Sequence, residues 1–360
     1  MTFYVVGEPE YELSNWYMDI VSGIKHEQRQ KRLNCEFLNN IKELGLADIG
    51  KDDVILVIGA DSEWIDKITM ICEALFDNRV IVLGNHERRL KGRKYSIVTT
   101  DISRNIKLLY DYLNRNGKKK IALYAINPQS ASDLYKKESF MVYNACENDL
   151  FYNTVSLDEC YKDFSRRIAE YDAVICVNDY AAISLINHLG DNRKIFITSC
   201  TGSKLTKVYS PSITHTRTKE EGYAKAGIAL SKMLTRNVEI NSVDMYLASD
   251  FIVGETTDFI PFNNTENGGL GDVLKGDDVF YSDIEINQMI KIEKLLSVCK
   301  DEDFLILKML LKNYSYNQIA DELCFSLNGI KYRLKNMFEI CGVRTKENLV
   351  NLLNQYNIKL

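Results

Sequence analysis

Uninterrupted apolar runs constrain this chain more than anything else in it. Val54-Ile55-Leu56-Val57-Ile58 ends in Gly59, and Val80-Ile81-Val82-Leu83 ends in Gly84. Ile121-Ala122-Leu123-Tyr124-Ala125, Ala173-Val174-Ile175-Cys176-Val177 and Ile195-Phe196-Ile197 have the same character. A run too short for a buried helix and apolar at every position has both faces covered, as in a parallel sheet between helical layers. Amphipathic segments separate the runs. The spacing predicts helices from Ser14 towards Arg32, over 62–76, 103–116, 130–144 and 156–171, from Tyr180 to Leu189, and over 219–236. Further strands are expected at Phe3–Val6, over 33–38, 95–99 and 151–155, and as one terminal strand over 244–253. Alternation of this kind implies parallel βα units. About ten strands are too many for one open sheet, so the expected architecture is two-lobed α/β with a ligand cleft.

The pattern changes after residue 254. Asn263-Asn264-Thr265-Glu266-Asn267-Gly268-Gly269 is loop-forming, and 258–282 reads as a flexible linker. The segment 284–298 is helical, either the first packing helix of a C-terminal module or a dimerisation helix. From 315 to 338 the chain spells two short helices and a tight turn. Ser315 and Ser326 stand at N-cap positions. Ile319, Ala320 and Leu323 form one apolar face; Ile330, Leu334, Met337 and Phe338 form the other. That is a helix-turn-helix, whose second helix fits a DNA major groove. The second helix carries Lys331, Arg333 and Lys335 and no acid before Glu339, a composition suited to phosphate contact. Asn328, near its N-terminus, stands where base edges are read.

Charge supports the division. The 360 residues carry a net −5. Residues 300–360 hold nine Lys/Arg against seven Asp/Glu, a net +2, which leaves −7 on the remainder. The basic excess is small, so DNA affinity is expected to lean on a homodimer. Nine scattered cysteines without a Cys-x-x-Cys pair suit reduced thiols and a cytoplasmic protein. No secretory leader and no membrane-length apolar run is read. Neither a cofactor nor a metal is expected. Gly84-Asn85-His86-Glu87 matches one block of metallophosphoesterases, but with four histidines the chain lacks the rest of the ligand set. No catalytic residues are assigned, and an enzyme is not expected.

Two resemblances add to this reading. Residues 299–355 resemble the C-terminal DNA-binding domain of LuxR/FixJ-type (GerE-like) regulators. The match runs through Asp303, Asn313 (Gly is usual), Ser315, Ile319-Ala320, Leu323, Ser326-Leu327-Asn328-Gly329-Ile330-Lys331 and Gly342-Val343-Arg344-Thr345. Gly329 replaces a threonine, and Arg333 stands where His is usual. The resemblance implies double-stranded DNA contact by Ser315, Ser326, Asn328, Gly329, Lys331, Tyr332, Arg333 and Lys335. Most of residues 1–257 resemble the type I periplasmic-binding-protein-like sensor domain of lactose-repressor (LacI/GalR) regulators. The landmarks are Ser96-Ile97-Val98-Thr99-Thr100-Asp101, Leu113 to Ala122, Ala173 to Ala182 with its Asn178-Asp179, and Pro211-Ser212-Ile213-Thr214.

The second resemblance implies a small polar or sugar-like effector bound by Asp101, Asp179 and a basic residue at Lys136. Lys136 lacks the planar fork of the usual Arg. Thr201 stands where a carboxylate is usual. Tyr11 and Trp16 are candidates to stack on the effector; plain packing is the competing reading of both. Asp179 can also be read as an N-cap of the following helix, and the two roles can hold together. Together these features predict a ligand-responsive transcription regulator in which sensor closure controls paired C-terminal helix-turn-helix domains. The alternative is a regulator whose degenerate sensor binds a protein partner or serves only as a dimerisation scaffold.

Overall fold

A computed structural model describes residues 1–12, 14–75, 79–84, 94–190, 195–219, 221–236, 240–257 and 283–360. The 258–282 segment read as a linker, and His86 with its neighbours, lie outside the described residues. The strands are β1 (Thr2–Gly7), β2 (Asn34–Leu38), β3 (Val54–Ile58), β4 (Arg79–Leu83), β5 (Ser96–Thr100), β6 (Ile121–Ile126), β7 (Leu150–Tyr152), β8 (Ala173–Cys176), β9 (Phe196–Ser199), β10 (Thr214–Thr218), β11 (Asp244–Leu247) and β12 (Ser249–Ile252). Helices α1 (Asn15–Lys31), α2 (Ile41–Leu44), α3 (Ser62–Leu75), α4 (Ile102–Arg115), α5 (Ala131–Met141), α6 (Leu157–Ser165), α7 (Asp179–Leu189) and α8 (Glu221–Arg236) alternate with them.

The strands form two six-stranded sheets, ordered β11-β5-β4-β3-β1-β2 and β12-β10-β9-β8-β6-β7. Pairing is parallel in both: β1 with β2 and β3, and β8 with β6 and β9. The single strand expected over 244–253 is corrected. It breaks at Ala248 into β11, in the first sheet beside β5, and β12, in the second sheet. Nothing in its composition announces the break, since 244–253 holds neither Gly nor Pro.

Burial accounts for the apolar runs. In the first sheet Phe3, Val5, Leu56, Ile81 and Val98 face one layer, with Ile20 and Ile24 of α1 and Tyr223, Ile228 and Leu234 of α8. The intervening residues Tyr4, Val6, Ile55, Val57, Val80, Val82 and Ile97 face the other, with Leu44 of α2 and Ile65, Ile68 and Cys72 of α3. The two-residue period of a strand thus fills both layers from one run. In the second sheet an aromatic nest replaces part of the aliphatic filling. Phe151 and Phe164 meet edge to face at 4.9 Å, Tyr124 lies 5.4 Å from Phe164, and Tyr171 closes the group.

Among the described residues that follow are α9 (Ile284–Val298), α10 (Asp301–Leu311), α11 (Tyr316–Glu322), α12 (Leu327–Cys341) and α13 (Lys346–Gln355). α9 packs on α12, and α11 also packs on α12. By compactness the chain divides in two. One unit holds Met1–Asn105, Pro128–Ser139 and Thr218–Asp250, with the first sheet. The other holds Ile106–Asn127, Phe140–Arg217 and Phe251–Leu360, so the C-terminal helices belong with the second sheet.

Candidate ligand and nucleic-acid interfaces

In open parallel sheets ligands meet the carboxyl ends of strands. In the first unit, Glu8 follows β1 and is buried at 2% exposure. Its Oε2 accepts from the amides of Ala60 (2.8 Å) and Asp61 (3.1 Å), which follow β3. Burial pushes the Glu8 carboxyl up to about 7 against the pull of those two amides. The sequence offered no sign of this residue, because its burial is made by a loop 52 residues away. Tyr11 and Trp16 do come together, with ring centroids 5.6 Å apart, and Trp16 is half-buried against the α1–α8 layer. Asp101 accepts from the amide of Arg104 at 3.0 Å, at the start of α4. Lys136 is buried, and its ammonium is paired with Asp133 at 2.8 Å.

In the second unit the strand ends carry Asn127 after β6, Asn153 after β7, Asp179 after β8 and Thr201 after β9. Asp179 is 2% exposed. It accepts from the Thr201 hydroxyl (3.1 Å) and the Ser203 amide (3.1 Å). Two predicted site residues are therefore joined directly. The N-cap reading of Asp179 is corrected: Asn178 caps α7 by accepting from the Ala181 amide at 2.9 Å. That leaves the Asp179 carboxylate to the strand-end loop. Asn153 is also buried, and its Oδ1 meets no donor among the described residues. A buried carbonyl without a donor is costly, and fits a place where a ligand or water donates. Sequence reading passed over both Asn153 and Ser203.

The helix pair α11–α12 has the caps its sequence promised. Ser315 and Gln318 form a reciprocal capping box at α11, and the Ser326 hydroxyl accepts from the Gly329 amide at 3.0 Å. A Cβ at Gly329 would lie 3.2 Å from that hydroxyl, so glycine leaves room for the cap. Asn313 takes the left-handed conformation, φ 63°, which asparagine tolerates better than most residues. Ile319, Ile330 and Leu334 are fully buried between the helices.

Along α12, Asn328, Lys331, Tyr332 and Lys335 are exposed, with Tyr332 at 67%. Ser315 and Ser326 are exposed too, while Gly329 is half-buried. Arg333 differs from the other two cations. It pairs with Asp303 at 2.6 Å and lies over the Phe325 ring. One of the three cations read as a phosphate-facing set thus serves the inside of the helical module, where Asp303 also caps α10.

Polar groups anchor the C-terminal helices to the second sheet. Asp283 caps α9 by accepting from the Glu285 and Ile286 amides, and its Oδ2 also accepts from the Leu157 amide of α6 at 2.7 Å. The Ser184 hydroxyl donates to Glu285 at 2.5 Å. Burial raises the Glu285 carboxyl, opposed by Ser184 and by nearby His188. The chain end returns as well: Tyr209 and Ile358 form an antiparallel bridge, with the Lys359 amide donating to the Val208 carbonyl at 2.9 Å.

Among the described residues no group of three His, Cys, Asp or Glu is placed to hold a metal, and no helix is long and apolar enough to cross a membrane. The two parallel sheets resemble the type I periplasmic-binding-protein-like fold found in LacI regulators, here with a C-terminal helical region. Among solved structures, the transcriptional regulator CelR in complex with cellobiose superposes with TM-score 0.56 at 15% identity, covering 71% of this chain and 84% of that one. The Lac repressor bound to ONPG in its repressed state gives 0.56 at 13%, covering 71% and 82%. The regulator CcpA of Lactococcus lactis gives 0.54 at 16%, covering 72% and 100%. No protein-family model and no curated protein matches the sequence.

Proposed function

We propose that the chain is a ligand-responsive, DNA-binding transcription regulator and not an enzyme. The observation that carries this reading is the capped helix pair α11–α12, with Asn328, Lys331 and Lys335 on one exposed face. A sensor of the fold found in CelR and the Lac repressor stands in the same chain. Lys331 and Lys335 contact phosphates, Asn328 and Tyr332 approach base edges, and Ser315, Ser326 and Gly329 border the same surface. Arg333 acts indirectly, by holding α12 against α10 through Asp303. The effector is a small polar or sugar-like molecule, and the residues assigned to it are Tyr11, Trp16, Asp101, Lys136, Asp179 and Thr201, with Glu8 added after β1. Sensor closure on it resets a C-terminal module that acts as a homodimer in the cytoplasm. Residues 258–282 are its linker.

Fluorescence anisotropy of a random-sequence DNA duplex over a salt series tests this. Lys331→Ala and Lys335→Ala should each weaken binding and lower the salt slope by about one phosphate contact. Unchanged affinity and slope in both would sink the assignment of α12.

One observation favours a second reading of the sensor: Lys136 is already paired with Asp133, so its charge is committed. In that reading the sensor holds a protein partner or serves only to dimerise. Thermal shift against polar metabolites separates the two, since a scaffold responds to none.

A further inference from the structure

Residues 201–204 join β9 to a short 3-10 turn, Leu205–Lys207. Two buried carboxylates grip this loop. Asp179 accepts from Thr201 and from the Ser203 amide. Glu293, in the middle of α9 and 2% exposed, accepts from the very next amide, Lys204, at 3.0 Å. The two carboxylates also meet through α7. Tyr180, the residue after Asp179, donates its hydroxyl to Glu293 at 2.5 Å. The Lys204 ammonium reaches on to Ser297 of α9 at 3.1 Å. The result is a closed ring running Asp179, Ser203, Lys204, Glu293, Tyr180 and back to Asp179.

The ring has little slack. A Cβ at Gly202 would lie 2.0 Å from Cδ2 of His215, so the loop backbone rests against the imidazole. That imidazole is itself buried and fixed by Nδ1 against the Ile213 carbonyl at 2.8 Å. Beyond the ring, α9 packs on α12, the helix with the exposed lysines. Close-packed groups of this kind exchange between discrete arrangements instead of deforming smoothly.

We propose that residues 201–204 are the relay by which an effector at Asp179 is felt by α9, and through it by α12. The inference rests on the reading of Asp179 as a ligand group and adds how that site regulates the helices. A hydroxyl or ammonium group of the effector that donates to Asp179 competes with Thr201 and Ser203 for the same two oxygens. As Ser203 is released, the Lys204 amide shifts relative to Glu293, and the hold of α9 on the sensor at that carboxylate weakens. The exposed face of α12 stays open throughout, so the relay sets the orientation of the DNA-reading helix and does not mask it.

Hydrogen–deuterium exchange of the full chain, read peptide by peptide, tests the relay without needing the effector. Asp179→Asn should speed exchange in residues 293–297 as well as 201–203, and Glu293→Gln should speed 201–203 as well as its own helix. Each far-side change should be about fivefold, the loss of roughly one buried hydrogen bond. Tyr180→Phe removes a single hydroxyl and keeps both carboxylates. It should give the same two-sided pattern if the carboxylate variants fail to fold. Lys331→Ala should change neither segment. Acceleration confined to the mutated side in both Asp179→Asn and Tyr180→Phe overturns the relay. Binding of the wild-type chain to a random-sequence duplex is measured alongside. Duplex binding with one-sided exchange rejects the relay alone, whereas two-sided exchange without duplex binding supports the relay and rejects the regulator reading.

Discussion

The two sheets have the same strand order, and each has a buried carboxylate tying together the loops that follow neighbouring strands. In the first unit Glu8, after β1, holds the Ala60 and Asp61 amides after β3. In the second unit Asp179, after β8, holds Thr201 and Ser203 after β9. The ties differ in what lies behind them. The amides held by Glu8 open α3, within the first unit, where Asp61 caps that helix through the Trp64 amide. The loop held by Asp179 passes directly to Glu293 of α9. One architecture used twice therefore gives one strand end that closes on itself and another that continues into the C-terminal helices.

Several substitutions would break or sharpen this contrast, and the largest effect is expected in the first unit. The folded-state Glu8 carboxyl stands at about 7 against an ordinary 4.5, chiefly because of burial. The folded state therefore holds its proton more tightly than the unfolded chain does. That contribution to stability is complete below about pH 4.5 and is lost as pH rises through about 7. Glu8→Gln keeps an acceptor for both amides and removes the ionisation. Denaturant unfolding should show the variant level across this window while the wild type weakens. Above pH 7 the variant should be the more stable by roughly 3–4 kcal/mol, at ~1.4 kcal/mol per pKa unit.

Asp283→Ala acts on the other unit. It removes the cap of α9 and leaves the buried Leu157 amide without its carboxylate acceptor. A loss of about 2–3 kcal/mol should appear in the same measurement. Gly202→Ala forces the relay loop off His215 and should cost about 1–3 kcal/mol. Its exchange rates should rise over 201–204 and leave residues 60–61 unchanged. Ser315→Ala removes one half of a capping box on an exposed helix end and should cost about 1 kcal/mol. Helicity and melting of the C-terminal region report it. An equal response of the 60–61 loop to Gly202→Ala would erase the distinction between the two strand ends.

What the sequence revealed depended on how far apart the partners lie. The caps Ser315 and Ser326, the left-handed Asn313 and the buried Ile319, Ile330 and Leu334 are local matters of periodicity and cap chemistry, and they were legible. The parallel sheets were legible from runs apolar on both faces. Glu8 and Glu293 were not. Each looks like an ordinary surface acid until segments 52 and 89 residues away bring amides to it. Arg333 was read as one of three outward cations. It lies three residues after Ile330 and one before Leu334, which places it at the edge of the apolar face and within reach of Asp303. The break at Ala248 carries no sequence signal, because strand alternation continues across it on both sides.

Selection of bound fragments from the source genome, with the full chain and with the double variant Lys331→Ala/Lys335→Ala, tests the central claim most directly. The account predicts that the wild-type chain enriches a set of fragments sharing a motif, and that the double variant recovers none of them. Equal enrichment by both proteins, or no enrichment by the wild type, would contradict the assignment of α12 as a DNA-reading helix.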